Sequence, residues 1–392
     1  LAREVLSPEE PVVREVDTTQ EERLIADRPS LKDWTDLRLG WWGFVRKNMD
    51  EPMPAGVGWW QTLGNLLMTL LAFQFTTGVA LAMFYSPGTE SAYLSVKHIN
   101  EGHPVGLFVR GLHVWGSTLI VIATVLHLLR VFFWGSYKKP RELTWVMGVM
   151  IFNVILGFSF TGYLLPWDQK AYWATTVGTR IAATIPVVGQ SMMVLIRGGE
   201  EVGALTLTRF YAIHVMVLPA LLIGFTGLHL YLVRRHHIAG PVVPVKGPPV
   251  KFFPNQLFKD AIVVLFGVGL LAYMSLAMPP GLDGIANPAG TDFAPRPEWY
   301  FLGMYELLKI MPAGWEVIAT AIIPGLVTMG MFLVPWIDRA ESRHPAYRQT
   351  IIIAGIAVIL MIGLMTLKGV LETPPEGGHQ SKPPDVSATI KQ

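Results

Sequence analysis

Residues 110–130 read RGLHVWGSTLIVIATVLHLLR, and the two histidines in this stretch decide the fold. Between its flanking arginines the segment is apolar, and about 20 helical residues suffice to cross a bilayer core of roughly 30 Å. His113 and His127 lie fourteen residues apart. At a rise of about 1.5 Å that is ~21 Å along a helix axis, and fourteen steps of ~100° return to nearly the same face. One helix therefore presents two imidazoles on one side, near opposite leaflets. Residues 209–235, RFYAIHVMVLPALLIGFTGLHLYLVRR, repeat the arrangement with His214 and His229, fifteen apart. Fifteen steps leave the second pair about 60° apart around the helix but still facing one side.

Outward from these two segments the chain is membrane protein throughout. Of its 392 residues 51% are hydrophobic and 15% charged, too apolar for an ordinary soluble chain. Runs long enough to span the bilayer have approximate cores at 61–85, 110–134, 144–165, 210–233, 259–279, 315–337 and 350–370. The expected fold is an all-α integral membrane protein with seven transmembrane helices. A net charge of +2 argues against nucleic-acid binding. The basic residues are informative by position: Lys138, Lys139 and Arg141 follow the second span, Arg234, Arg235, Lys246 and Lys251 the fourth, and Arg339, Arg343 and Arg348 the sixth. By the positive-inside rule these connections face the cytoplasm, which places the N-terminus there and the C-terminus opposite.

Residues 1–58 form an inner-side segment of mixed charge without the layout of a cleaved secretory signal. Within it WTDLRLGWWGFVRKNMD, from Trp34, alternates aromatic and charged residues and reads as one interfacial amphipathic helix. The absence of cysteine excludes disulfides, thiolate-held iron–sulfur clusters and thioether-attached haem on these residues. Any metal here is held by histidine or carboxylate.

The second and fourth spans run in the same direction, so His113 matches His214 in depth and His127 matches His229. Two imidazoles on facing helices at each level make the ligand set of a six-coordinate haem, which is suited to electron transfer. Neither level gathers the three or four ligands that zinc or copper takes. Interhelical hydrogen bonding, or proton relay in a transporter, are the other uses of intramembrane histidines. Gly64 and Gly78 in the first span, and Gly148 and Gly162 in the third, are again fourteen apart. A flat macrocycle between helices needs missing side chains, although small residues also serve plain helix packing. Arg110 and Arg130, near the two ends of the second span, can pair with haem propionates or snorkel to the interfaces.

With these residues in place the chain resembles the cytochrome b subunit of the cytochrome bc (Rieske/cytochrome b) complexes. The paired histidines, GYLLPWDQ from Gly162, RGGEEVGALTLTRFY before the fourth span and PEWY at Pro297 to Tyr300 carry the resemblance, which extends from about 34 to 370. It is most similar to the photosynthetic type, a four-helix cytochrome b and three-helix subunit IV, here fused in one chain. The helix count and the fifteen-residue step of the fourth span follow that type. The resulting division is 59–238 for the dihaem bundle, 239–258 for a Pro/Gly-rich linker, 259–372 for the three-helix module and 373–392 for a tail. Photosynthetic-type proteins attach a further haem through a cysteine where this chain has Thr62, so the resemblance leaves two non-covalent b haems and no covalent haem c.

The resemblance also implies two quinone sites. On the outer side Pro297, Glu298, Trp299 and Tyr300 line a quinol-oxidation pocket with Tyr163 nearby, and Glu298 suits the role of proton acceptor. On the inner side Arg234, Lys259 and Asp260 serve quinone reduction, in competition with anchoring and capping roles. One electron of quinol goes to a Rieske [2Fe–2S] protein and on to a c-type cytochrome. The other crosses from the haem of His113 and His214 to that of His127 and His229 and reduces quinone, with protons released outside and taken up inside. The implied setting is an energy-transducing membrane, the bacterial inner membrane, and a homodimeric complex. A dihaem membrane anchor of another quinone-linked dehydrogenase or reductase is the competing reading, but it accounts neither for PEWY nor for the last three spans. His98, His103, His236, His237, His344 and His379 read as loop or tail residues without a role.

Overall fold

The computed structural model describes residues 30–289 and 296–372. Seven helices within it are long and apolar enough to cross a membrane. In chain order the helices are α1 (Leu31–Leu39), α2 (Trp41–Met49), α3 (Leu63–Ala82), α4 (Ala92–Glu101), α5 (Gly106–Phe133), α6 (Glu142–Leu164), α7 (Gln169–Ala183), α8 (Gly189–Arg197), α9 (Ala204–His236), α10 (Leu257–Ala277), α11 (Trp299–Lys309), α12 (Ile318–Ile337) and α13 (Gln349–Leu371). The spans are α3, α5, α6, α9, α10, α12 and α13. Helix α3 packs on α5 and α6 on α9, with α5 against α6, to form a four-helix bundle. Helix α10 lies against α3 and α5, and α12 against α6. Leu70, Ile120, Val121, Ala123 and Ile155 of the bundle form one buried cluster with Leu271 of α10.

The interfacial segment is two helices rather than the single one expected. Gly40 stands in the left-handed region (φ +59°) between α1 and α2 and breaks the helix there. Residues 1–29 and 373–392, with His379, lie outside the described residues. His98 and His236, expected in loops, stand in α4 and at the end of α9. The segment 239–258 contains a short strand, β2 (Val250–Lys251), paired antiparallel with β1 (Pro52–Met53).

Two of the spans contain a π turn, at Ile213–Val217 and Ile318–Ile322. Each ends two residues before a proline, Pro219 and Pro324. A proline in a helix has no N–H for the carbonyl four residues back, and its ring crowds that carbonyl, so the turn before it widens.

The last three spans are fastened to the bundle at both margins. On one side residues 278–287 cross the bundle as a strap. Trp115 Nε1 donates to the Met278 carbonyl (2.7 Å), Arg110 to those of Pro280 (3.0 Å) and Gly281 (2.8 Å), and the Gln169 N–H to that of Gly284 (2.9 Å). On the other side buried Asp338 accepts from Tyr137 (2.5 Å) and pairs with Lys138 (3.0 Å) and Arg348 Nε (2.6 Å). Arg348 also donates to the Phe132 (2.9 Å) and Phe133 (3.2 Å) carbonyls at the end of α5.

Candidate functional site

The structure brings the four histidines together in two pairs. The rings of His113 and His214 face each other with centroids 6.3 Å apart, and His127 stands by His229 at the other level. Fifteen residues separate His214 from His229, yet no 60° misalignment remains to be absorbed. His214 lies in the π turn, which takes up one extra residue, so fifteen residues advance like fourteen in a plain α-helix. Pro219 is the sequence signal for it.

The tautomers follow from the hydrogen bonds. The Thr77 hydroxyl donates to the Phe73 carbonyl (2.6 Å), so its oxygen accepts from His113 Nδ1 (3.0 Å). Thr161 likewise donates to Gly157 (2.8 Å) and accepts from His214 Nδ1 (3.0 Å). His229 Nδ1 donates to the Thr144 carbonyl (3.0 Å). A proton fixed on Nδ1 leaves the Nε2 lone pair free, the arrangement by which outer groups orient histidine ligands. Both threonines stand directly before a site glycine, in Thr77-Gly78 and Thr161-Gly162, a repeated dipeptide that the sequence reading passed over. His127 Nδ1 is buried and unpartnered among the described residues.

Each of the four glycines abuts one imidazole. A Cβ on Gly162 would stand 2.7 Å from His214 Cε1, on Gly78 3.2 Å from His113 Cε1, on Gly148 3.6 Å from His229 Cε1 and on Gly64 4.0 Å from His127 Cε1. The gradation sets an expectation. Gly162→Ala should destabilise by about 1–3 kcal/mol, as overpacking does, because His214 cannot yield without straining its bond to the adjacent Thr161. Gly64→Ala should be near neutral. Thermal unfolding of the two purified variants compares them, and an equal loss in both would refute the steric account.

The two arginines differ. Arg110 is committed to the strap carbonyls and to Asn100 Oδ1 (3.2 Å). Arg130 is buried with Nε and Nη2 unpartnered among the described residues, and Arg343 stands near it.

At the strap side, the Glu298 carboxylate is bonded to Lys170 (2.7 Å), and Tyr163 lies close by with a buried hydroxyl that is unpartnered among the described residues. Tyr300 packs against the mid-bundle cluster and bonds with Ser159. Burial, then the Glu298 charge, push its phenol well up, so Tyr300 stays protonated. Trp299 packs edge-on against Tyr300 (5.4 Å), and Pro297 is half-buried just before α11. Asp168, from GYLLPWDQ, is buried and caps α7 by accepting from Ala171 N–H (2.8 Å). Burial raises its carboxyl despite that bond.

At the opposite margin Asp260 is buried and accepts from Gln256 (3.0 Å) and Asn65. Lys259 donates to the Val57 carbonyl (2.8 Å), and Arg234 pairs with Glu51 (3.6 Å), which also meets His237 (3.0 Å). Residues 51–57 thus link the ends of α9 and α10, and Asn65, Gln256 and Glu51 join the candidates named from sequence.

Residues 48–237 match the family described as cytochrome b/b6/petB, and residues 285–380 match cytochrome b (C-terminal)/b6/petD. The chain is 43% identical over 220 residues to a menaquinol:cytochrome c reductase cytochrome b subunit of Geobacillus thermodenitrificans, covering 54% of this chain and 98% of that one. It is 34% identical over 367 residues to a cytochrome b/c1 of Bradyrhizobium diazoefficiens; the match covers 89% of this chain and about half, 51%, of that longer protein. Among solved structures it is similar to a hyperthermophilic respiratory Complex III, with a TM-score of 0.79 and 26% identity over 88% of this chain and 92% of that one.

Proposed function

The chain belongs to the cytochrome b family, and from that premise we propose that it is the two-haem, quinone-handling subunit of a quinol:cytochrome c reductase. Its division into a dihaem bundle at 59–238 and a three-helix module at 259–372 is part of the same reading. The observation that carries it is the hydrogen bonding of His113, His214 and His229, which leaves Nε2 of each free on facing helices. The glycines that receive the imidazoles, and the buried unpartnered nitrogens of Arg130, support a bound macrocycle with acidic groups. Haem b held by His113 and His214, and a second by His127 and His229, supplies one-electron transfer across the bilayer.

The residues at the two margins do the proton chemistry. Glu298 accepts a proton from quinol on the outer side, with Tyr163 and protonated Tyr300 bounding the pocket. On the inner side buried Asp260, with Lys259 and Arg234 near the surface, delivers protons to quinone. Electrons leave the outer site in two directions, one to a Rieske [2Fe–2S] partner and then a c-type cytochrome, the other inward. Proton release outside and uptake inside then couple the reaction to a gradient. The orientation has the N-terminus cytoplasmic and the C-terminus opposite, in a bacterial inner membrane, and the assembly is a homodimer.

The test is a dithionite-reduced minus oxidised spectrum of the purified complex with pyridine haemochrome quantitation and a redox titration. Two b haems per chain at two potentials are expected. A chain without haem absorption would overturn the reading.

A further inference from the structure

Lys170 is a charged group at the outer margin, paired with Glu298. Lys170 is the second residue of α7, where the positive end of the helix dipole opposes an ammonium group. It nevertheless reaches Glu298 at 2.7 Å and lies over the Tyr163 ring, 5.3 Å from its centroid. Glu298 is the N-cap residue of α11, but its side chain makes no capping bond. The carboxylate forgoes its own helix for the lysine of another. The pair is partly open to solvent, with side chains 41% and 33% exposed, so a simple surface ion pair there would be worth little. It also joins the two modules at the point where quinol is proposed to lose its proton.

We infer that Lys170 is a positioning residue of the quinol-oxidation site, holding the Glu298 carboxylate in place beside Tyr163. The inference rests on the outer-site reading. When quinol binds, its hydroxyl O–H bond breaks, the proton forms an O–H bond on Glu298, and the electron pair stays on the quinol oxygen. Neutralised, Glu298 no longer pairs with the ammonium group and is released to pass its proton to water. Once ionised it returns to Lys170. Among the described residues, the other charged or titratable groups bearing on this pocket are Tyr163 from α6, Asp168 at the start of α7, Asp283 from the strap and Tyr300 from α11. Lys170 is the cation among them in direct contact with Glu298.

The experiment compares K170M, K170R, E298Q and the K170M/E298Q pair in the full complex, using a short-chain quinol and following kcat and KM across pH. The reduced-minus-oxidised haem spectrum checks that each variant is assembled. In K170M, kcat should fall about tenfold with KM little changed, a part of the ~10²–10⁴-fold that a general base contributes. K170R should recover most of the rate, and the double variant should be no slower than E298Q. A K170M enzyme with full kcat, beside an impaired E298Q, overturns the role of Lys170 alone. Effects that multiply in the double variant also overturn it. A fully active E298Q removes the outer-site reading and this inference with it. Should K170M not assemble, K170Q carries the same comparison.

Discussion

Substitution of His127 by alanine is expected to leave the purified chain with one b haem instead of two and to abolish quinone reduction on the inner side. The remaining component should keep the wild-type potential within experimental scatter, because the His113 and His214 level is about 21 Å away along the helix axis. His229→Ala should remove the same component as His127→Ala, and His113→Ala or His214→Ala the other. Loss of an outer-shell partner of a metal ligand typically costs roughly 10–100-fold in affinity, and loss of the ligand itself should exceed that. Haem quantitation with redox titration of the four variants decides the matter. A His127→Ala protein that retains both components would mean that the inner pair is misassigned.

The second large effect is structural. Asp338→Ala should destabilise the protein by about 3–5 kcal/mol, the usual consequence of removing one partner from a buried ion pair. Arg348, whose side chain is fully buried, would be left charged beside Lys138 and the α5 carbonyls. Those carbonyls end the helix that carries His113, His127 and Arg130, so the inner spectral component should suffer before the outer one. Burial pushes the Asp338 carboxyl up, but hydrogen bonds from Tyr137, Arg348 and Lys138 outweigh it and hold the group below its usual range. The stabilisation is therefore present above the unfolded carboxylate pKa of about 3.9 and disappears only as the pH falls further, through the lower folded-state value. Thermal unfolding should show the Asp338→Ala deficit undiminished from pH 5 to 8. A deficit of less than about 1 kcal/mol would show the cluster to be incidental.

Much of this was legible from sequence because it depends on properties that are local in the chain. Length and hydropathy marked all seven spans, and helical periodicity alone placed His113 with His127 on one face. What escaped the reading depends on contacts between distant residues or on small amphipathic elements. Lys138 and Asp338 meet across 200 positions, and nothing near either one announces the other. Helices α4, α7, α8 and α11 lie outside the long apolar runs, where hydropathy has little to say. Arg110 and Arg130 look alike in sequence, yet one is bonded to the strap and the other has nitrogens unpartnered among the described residues. The Thr-Gly pairs were visible in principle, but only the geometry shows that Thr77 and Thr161 set the proton on the neighbouring imidazoles.

The π turn at Ile213–Val217 has a consequence for how such a helix can change length. Adding a residue to a membrane helix ordinarily turns everything beyond it by about 100°, which would carry one histidine away from its partner. A wide turn confines the extra residue to one loop of backbone and leaves the face beyond it where it was. Spacings of fourteen and fifteen are therefore two lengths of the same paired-histidine scaffold. A lineage can pass from one to the other through a single insertion or deletion beside Pro219, with both imidazoles still aimed at the same place.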